Sequence, residues 1–214
     1  MKKIFILSMV FGISAAALVA FVKPSDKTAN PKGTKQSVET GKWTVDQAHS
    51  NVKFTVTHLV VSEVEGSFKL FDGAMENSKG DLSDAKINFT VDVNSIDTDN
   101  EKRDGHLKSD DFFNAEKFPQ MKFTSTSVKS VGDNKYKLAG NLTIRDVTRP
   151  VEFDVTYGGS VAAMGTTKLG FKAQTTINRF DYNLKWDKAT EGGGLVVSKE
   201  VNILVNVELN KVKE

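Results

Sequence analysis

Three residues in the middle of the chain are the best placed for chemistry: Arg103, Asp104 and His106. An Asp–His contact can support general-base catalysis when a nucleophile and an oxyanion site accompany it. The chain has no Gly-x-Ser-x-Gly elbow, no phosphate-binding loop and no His-Glu-x-x-His run to supply them. The cluster therefore reads as a polar network that fixes its segment to the rest of the domain. Contact with a ligand head group is the weaker alternative. The three histidines, His49, His58 and His106, lie far apart, and no pair has the spacing of a metal motif. Asp46 and His49 are close enough to pair, and a structural pairing is the simpler reading. Cysteine is absent, which excludes disulfides, a thiol nucleophile and thiolate metal sites. No catalytic residue, metal ligand or cofactor is assigned from the residues.

The elements around these groups alternate with period two. Val52, Phe54, Val56 and His58 share one face, with Asn51, Lys53, Thr55 and Thr57 on the other. The same pattern recurs in Val64-Gly66-Phe68-Leu70, in Ile87-Phe89-Val91-Val93 and in Val151-Phe153-Val155-Tyr157. Leu169-Phe171-Ala173-Thr175-Ile177 and Val201-Ile203-Val205-Val207-Leu209 complete it. Successive strand side chains point to opposite faces, so each segment has one dry and one wet side. That is the signature of an antiparallel sheet. Turns are expected at Asp72-Gly73, Lys79-Gly80-Asp81, Gly132-Asp133-Asn134 and Gly158-Gly159. The pattern predicts an all-β fold of about eight strands, closed into a barrel because closure removes exposed edges. Residues 100–117 break the period. Asp99 or Asn100 can cap a helix, and one or two short helices are expected there, anchored by Leu107, Phe112 and Phe113.

The ends and the charge bound the cell biology. Residues 1–22 open with Lys2 and Lys3 and then run apolar from Ile4 to Val22, which reads as a signal segment for export to the periplasm or beyond. An uncleaved N-terminal membrane anchor is the alternative. Residues 23–42 are polar and rich in Lys and read as a flexible linker. Their basic bias allows peripheral membrane contact. The formal charge of +2 comes from Lys2 and Lys3, and residues 43–214 hold 22 basic against 25 acidic side chains. Such a balance exerts no global pull on nucleic acid.

Several spaced motifs then agree in order. They are Trp43, Asp46, His49-Ser50, Phe54, His58, Gly66 and Phe68, the run from Asn100 to Leu107, Asp111-Phe112-Phe113 and Lys117-Phe118-Pro119. Phe123, Gly140-Asn141-Leu142-Thr143-Ile144 and Val147-Thr148-Arg149-Pro150-Val151 follow. Over essentially all of 43–214 the chain resembles the YceI family of bacterial lipid-binding proteins. Asp146 stands where that family often has Gly, and Asp also turns a chain. The resemblance implies a lipocalin-like, eight-stranded barrel whose tunnel holds a polyisoprenoid or quinone-like chain, bound without chemistry. An eight-stranded barrel is just wide enough either to be filled by side chains or to hold a ligand, and the strand pattern alone leaves both open. With the resemblance, the ligand is expected to touch Phe54, Val56, His58, Phe68, Phe89 and Val91 from the first half. Phe112, Phe123, Leu142, Phe153, Phe171 and Ile177 complete the expected wall. An enzyme using the same cavity and a filled, partner-binding barrel are the competing functions. The protein is expected to be a monomer or homodimer whose partner is an isoprenoid or other long-chain lipid.

Overall fold

Alternation fixes which residues turn inward, and pairing decides where each strand lies. The computed structural model describes residues 37–191 and 193–213. Its strands are β1 (Gly41–Val45), β2 (Asn51–His58), β3 (Ser62–Phe68), β4 (Phe71–Asn77), β5 (Lys86–Asp92) and β6 (Ile96–Asp97). Helix α1 (Glu101–Lys108) follows, then β7 (Gln120–Gly132), β8 (Lys135–Ile144), β9 (Val147–Ala163), β10 (Thr166–Asn178) and β11 (Val197–Lys211). The sheet order is β1-β4-β5-β7-β8-β9-β10-β11-β2-β3-β6, and β1 also pairs with β11.

That second pairing closes the sheet. β1 and β2 lie end to end along β11, with Val45 opposite Leu209 and Val52 opposite Val205. β3 and β4 run on from one another against β2 and β1. β6 continues β5 along β3. The segments thus fill the eight strand positions of an antiparallel, lipocalin-like barrel, as the alternation implied.

Each break between end-to-end segments has a local cause. Asp46 accepts from the Ala48 N–H at 3.1 Å and starts a 3₁₀ turn between β1 and β2. Asp92 does the same for Asn94 at 2.8 Å between β5 and β6. Between β3 and β4 the N–H groups of Lys69 and Leu70 leave the ladder for the Ser95 carbonyl and hydroxyl. This moves the inward face from Phe68 to Phe71. Leu70, which alternation turned inward, is instead 55% exposed.

Two expected turns are corrected. Asp72-Gly73 lies inside β4. Gly158-Gly159 lies inside β9, where the pairing with β10 shifts register and Gly159 takes a φ of +119°. This is a bulge, which Gly marks as readily as a turn. Gly132-Asp133-Asn134 does form a hairpin loop, with all three residues at positive φ.

The segment 100–117 holds one α-helix. Asn100 caps it, accepting from the Arg103 N–H at 3.0 Å. From Ser109 the chain continues in turns, with Phe112 and Ala115 buried. The expected linker also ends early. Val38, its one large apolar side chain, is buried, and its N–H donates to the Gly80 carbonyl at 2.8 Å. Residues 37–42 are thereby fastened to the barrel, and β1 already begins at Gly41. The expected signal segment (1–22) and the linker residues 23–36 lie outside the described residues. Among the described residues no helix is long and apolar enough to cross a membrane.

Candidate functional site

Inward side chains differ in burial, and the difference locates empty space. Met75, Leu138, Phe153 and Leu169 are buried. Phe54, Phe171, Ala173, Ile203 and Val205 also face in, yet are only half-buried. They border two cavities. One, of about 130 Å³, lies among Met75, Ile87, Leu138, Val155, Phe171 and Ala173. The other, of about 150 Å³, lies among Phe54, Val91, Met121, Leu142, Ile177 and Ile203, with Leu107, Phe112 and Phe113 from the helical segment. Phe89, Phe123, Phe153 and Val205 line both. The barrel is therefore not filled, and its lining is almost wholly apolar.

Glycines opposite the phenylalanines keep this space open. Gly66 is the cross-strand partner of Phe54, and Gly73 of Phe89. A Cβ at Gly73 would lie 2.5 Å from Phe89 Cδ2, and one at Gly66 or Gly140 would overlap the rings of Phe54 or Phe123. The rings occupy the room that a side chain would take, so they lean along the wall instead of across the lumen.

The structure brings nearly all the sequence-predicted residues together. Phe54, Val56, Phe68, Val91, Phe112, Leu142 and Ile177 line the larger cavity. Phe171 lines the smaller one, and Phe89, Phe123 and Phe153 lie between the two. His58 lines neither. It sits at the last position of β2, opposite Ser62 and Val197, beside the turn. Alternation put His58 on the inner face but could not show that the cavity stops short of it. Sequence reasoning missed Met75 because the break after β3 hid its register. It also missed Met121, whose strand begins directly after Pro119. Ile203 and Val205 were on the inward face of the last strand and could have been named from it.

The polar groups serve as ties around the cavities. Arg179, only 3% exposed, lines the larger cavity, but its guanidinium donates to the carbonyls of Ser198, Leu184, Trp186 and Val197. Burial lowers its pKa, against the pull of Asp187. Arg145 donates to the carbonyls of Asp110, Phe112 and Asn183 and to the Asp110 carboxylate. Together these arginines hold the covering segments by their backbones.

The enzyme-like cluster divides. Asp104 accepts from the N–H and hydroxyl of Thr98, and Arg103 donates to the same residue's hydroxyl and carbonyl. His106 turns away to Asp111 at 2.8 Å and meets Phe112 and Trp186 edge-on. Neither Asp104 nor His106 lines a cavity. Arg103 and Asp104 thus tie α1 to Thr98, directly after β6, while His106 takes no part in that tie.

Asp46 and His49 pair at 3.1 Å. With Glu208 they bring three potential ligand atoms within 4.8 Å of one another. The Lys168 ammonium already bridges the carboxylates, 2.9 Å from Asp46 and 2.5 Å from Glu208, and also reaches Asn210. A metal ion would have to displace that ammonium. The hydrogen bonds from Lys168 and then His49 hold the Asp46 carboxyl well below the usual range. Those to Glu208 and then Asp46 raise Lys168.

The model of the YceI-like domain matches residues 43–209. A UPF0312 protein of Staphylococcus aureus strain N315 is 40% identical over 170 residues, covering 78% of this chain and 96% of the relative. The chain belongs to the YceI-like family. Among solved structures, this YceI-like chain resembles BcnA of Burkholderia cenocepacia, at 26% identity and a TM-score of 0.67 over 77% of this chain and 98% of that one. It also resembles the YCEI protein of Campylobacter jejuni, at 32% identity and a TM-score of 0.63 over 79% and 97%. A polyisoprenoid binding domain from Saccharophagus degradans aligns over 81% and 100% with a TM-score of 0.60. At 15% identity that last likeness speaks of the fold alone.

Proposed function

We propose that this protein binds a long apolar lipid, of the isoprenoid or quinone-like class, inside the barrel and carries or stores it without chemical change. The observation that carries this reading is an interior that the side chains do not fill, lined by aromatic and aliphatic groups. Burying an alkyl chain there would contribute about 0.8 kcal/mol per CH₂ removed from water, so affinity needs few polar contacts. Non-catalytic binding fits the polar groups, which are engaged as structural ties. The family supports the same reading, and a Saccharophagus domain of the same fold is described as polyisoprenoid binding. No cofactor is required. The apolar start at residues 1–22 supports action outside the cytoplasm.

Ala173 offers a direct test. It faces the smaller cavity from β10, while its neighbour Lys172 faces solvent. Ala173→Leu should fill part of the cavity, keep the fold, and weaken prenol uptake by about tenfold, or ~1.4 kcal/mol. Lys172→Gln should leave uptake unchanged. Native mass spectrometry of protein purified from its source, then of delipidated protein given prenols, reads both. Absence of any bound or bindable long-chain lipid would return the barrel to a partner-binding role.

A further inference from the structure

Four strands each contribute one side chain to a layer that borders both cavities. Phe89 comes from β5, Phe123 from β7, Phe153 from β9 and Val205 from β11, and each borders both cavities. Phe89 and Phe123 are direct cross-strand partners. The Phe123 and Phe153 rings meet edge to face at 5.4 Å. Phe89 is stacked on Phe71 at 5.8 Å on its other side. Phe123 and Phe153 thus bring an aromatic contact to the zone that the two cavities share.

Each part of this layer has different freedom to yield. Phe89 is confined by Phe71 and by Gly73, since its Cδ2 lies 2.5 Å from where a Cβ on Gly73 would stand. Phe123 leans over Gly140 in the same way. For Phe153 no glycine niche of this kind is seen among the described residues, and its ring bears on Phe123. Phe123 and Phe153 border both cavities, so a chain that spans both lies against their contact. Opening the contact gives up an edge-to-face aromatic pair, a modest cost that each further buried CH₂ can offset.

We infer that the layer of Phe89, Phe123, Phe153 and Val205 is a gauge that sorts apolar ligands by chain length. The inference rests on the lipid-binding reading above. A chain short enough for one cavity binds with the layer closed. A longer chain binds only by parting Phe153 from Phe123 and threading both cavities. Gly73 and Gly140 set the bore, because they decide how far the neighbouring rings stand from the axis.

The test uses the full, delipidated protein and a graded prenol series, from geraniol and farnesol through geranylgeraniol to solanesol, with competition read by native mass spectrometry. Phe153→Leu removes the ring contact while keeping the wall apolar. It should raise the preference for solanesol over geraniol by about tenfold. Gly73→Ala should drive Phe89 toward the axis, weakening solanesol while sparing geraniol. Thermal melts accompany both variants, and the Phe153→Leu arm decides alone if Gly73→Ala does not fold. A length preference unchanged by Phe153→Leu, in folded protein that binds prenols, overturns the gauge while leaving lipid binding intact. Failure of the wild-type protein to bind any prenol removes the lipid reading and the gauge with it.

Discussion

Single residues show how far local spacing carries. The pairing of Asp46 with His49 was legible because the two stand on one short turn. Lys168, 122 positions away from Asp46, was not, and it is the group that gives the cluster its character. The sign of its pH effect follows from the depressed carboxyl. Asp46 ionises more readily folded than unfolded, so its stabilisation is complete above the unfolded value of about 4 and is lost as pH falls toward the folded value. Asp46→Asn should therefore lower stability by about 1 kcal/mol near neutrality, the modest figure expected of a partly solvated ion pair. The gap from wild type should narrow as pH falls below about 4. Urea midpoints measured at neutral and acid pH check this, and a gap independent of pH would remove the ion pair as its cause. Arg103, Asp104 and His106 teach the opposite lesson. Their proximity in sequence suggested one cluster, but the helix divides them between Thr98 and Asp111.

At the scale of elements, strand periodicity was readable and strand interruption was not. Alternation identifies an inward face, but the breaks at 46–50, 69–70 and 93–95 depend on how neighbouring segments must stagger to close the barrel. The extra residues at Lys69 and Leu70 are placed by Ser95, a partner from a different strand connection. The helix was legible from its polar composition and its cap. Asn100→Ala should cost about 1 kcal/mol. It should also speed amide hydrogen exchange over residues 101–117, because α1 has no fully buried residue of its own to hold it. Leu107, Phe112 and Phe113 wall the larger cavity, so the same variant should release bound prenol faster. Exchange identical to wild type would show that the arginine ties, not the cap, hold this segment.

For the whole molecule, export and lipid carriage are linked proposals. Fractionation of the source cells should recover the protein outside the cytoplasm, cleaved or still anchored, and full-length product confined to the cytoplasm would defeat the reading of residues 1–22. The amino-acid sequence by itself determined an all-β chain of one-sided strands, a single helical interruption, the absence of thiol chemistry and most of the side chains that face inward. It also carried enough spaced motifs to mark its family. It did not determine whether the inward side chains meet. Only the tertiary structure decided that, because enclosed volume depends on the number of strands that close the sheet, on their stagger, and on which residue stands opposite which. In the sequence Gly73 reads as a turn former, Gly66 as part of a strand and Gly140 as part of a motif. Placed beside Phe54, Phe89 and Phe123 on neighbouring strands, they let the rings lie against the wall and leave space at the centre. The void is a property of pairs far apart along the chain, so no local pattern could report it.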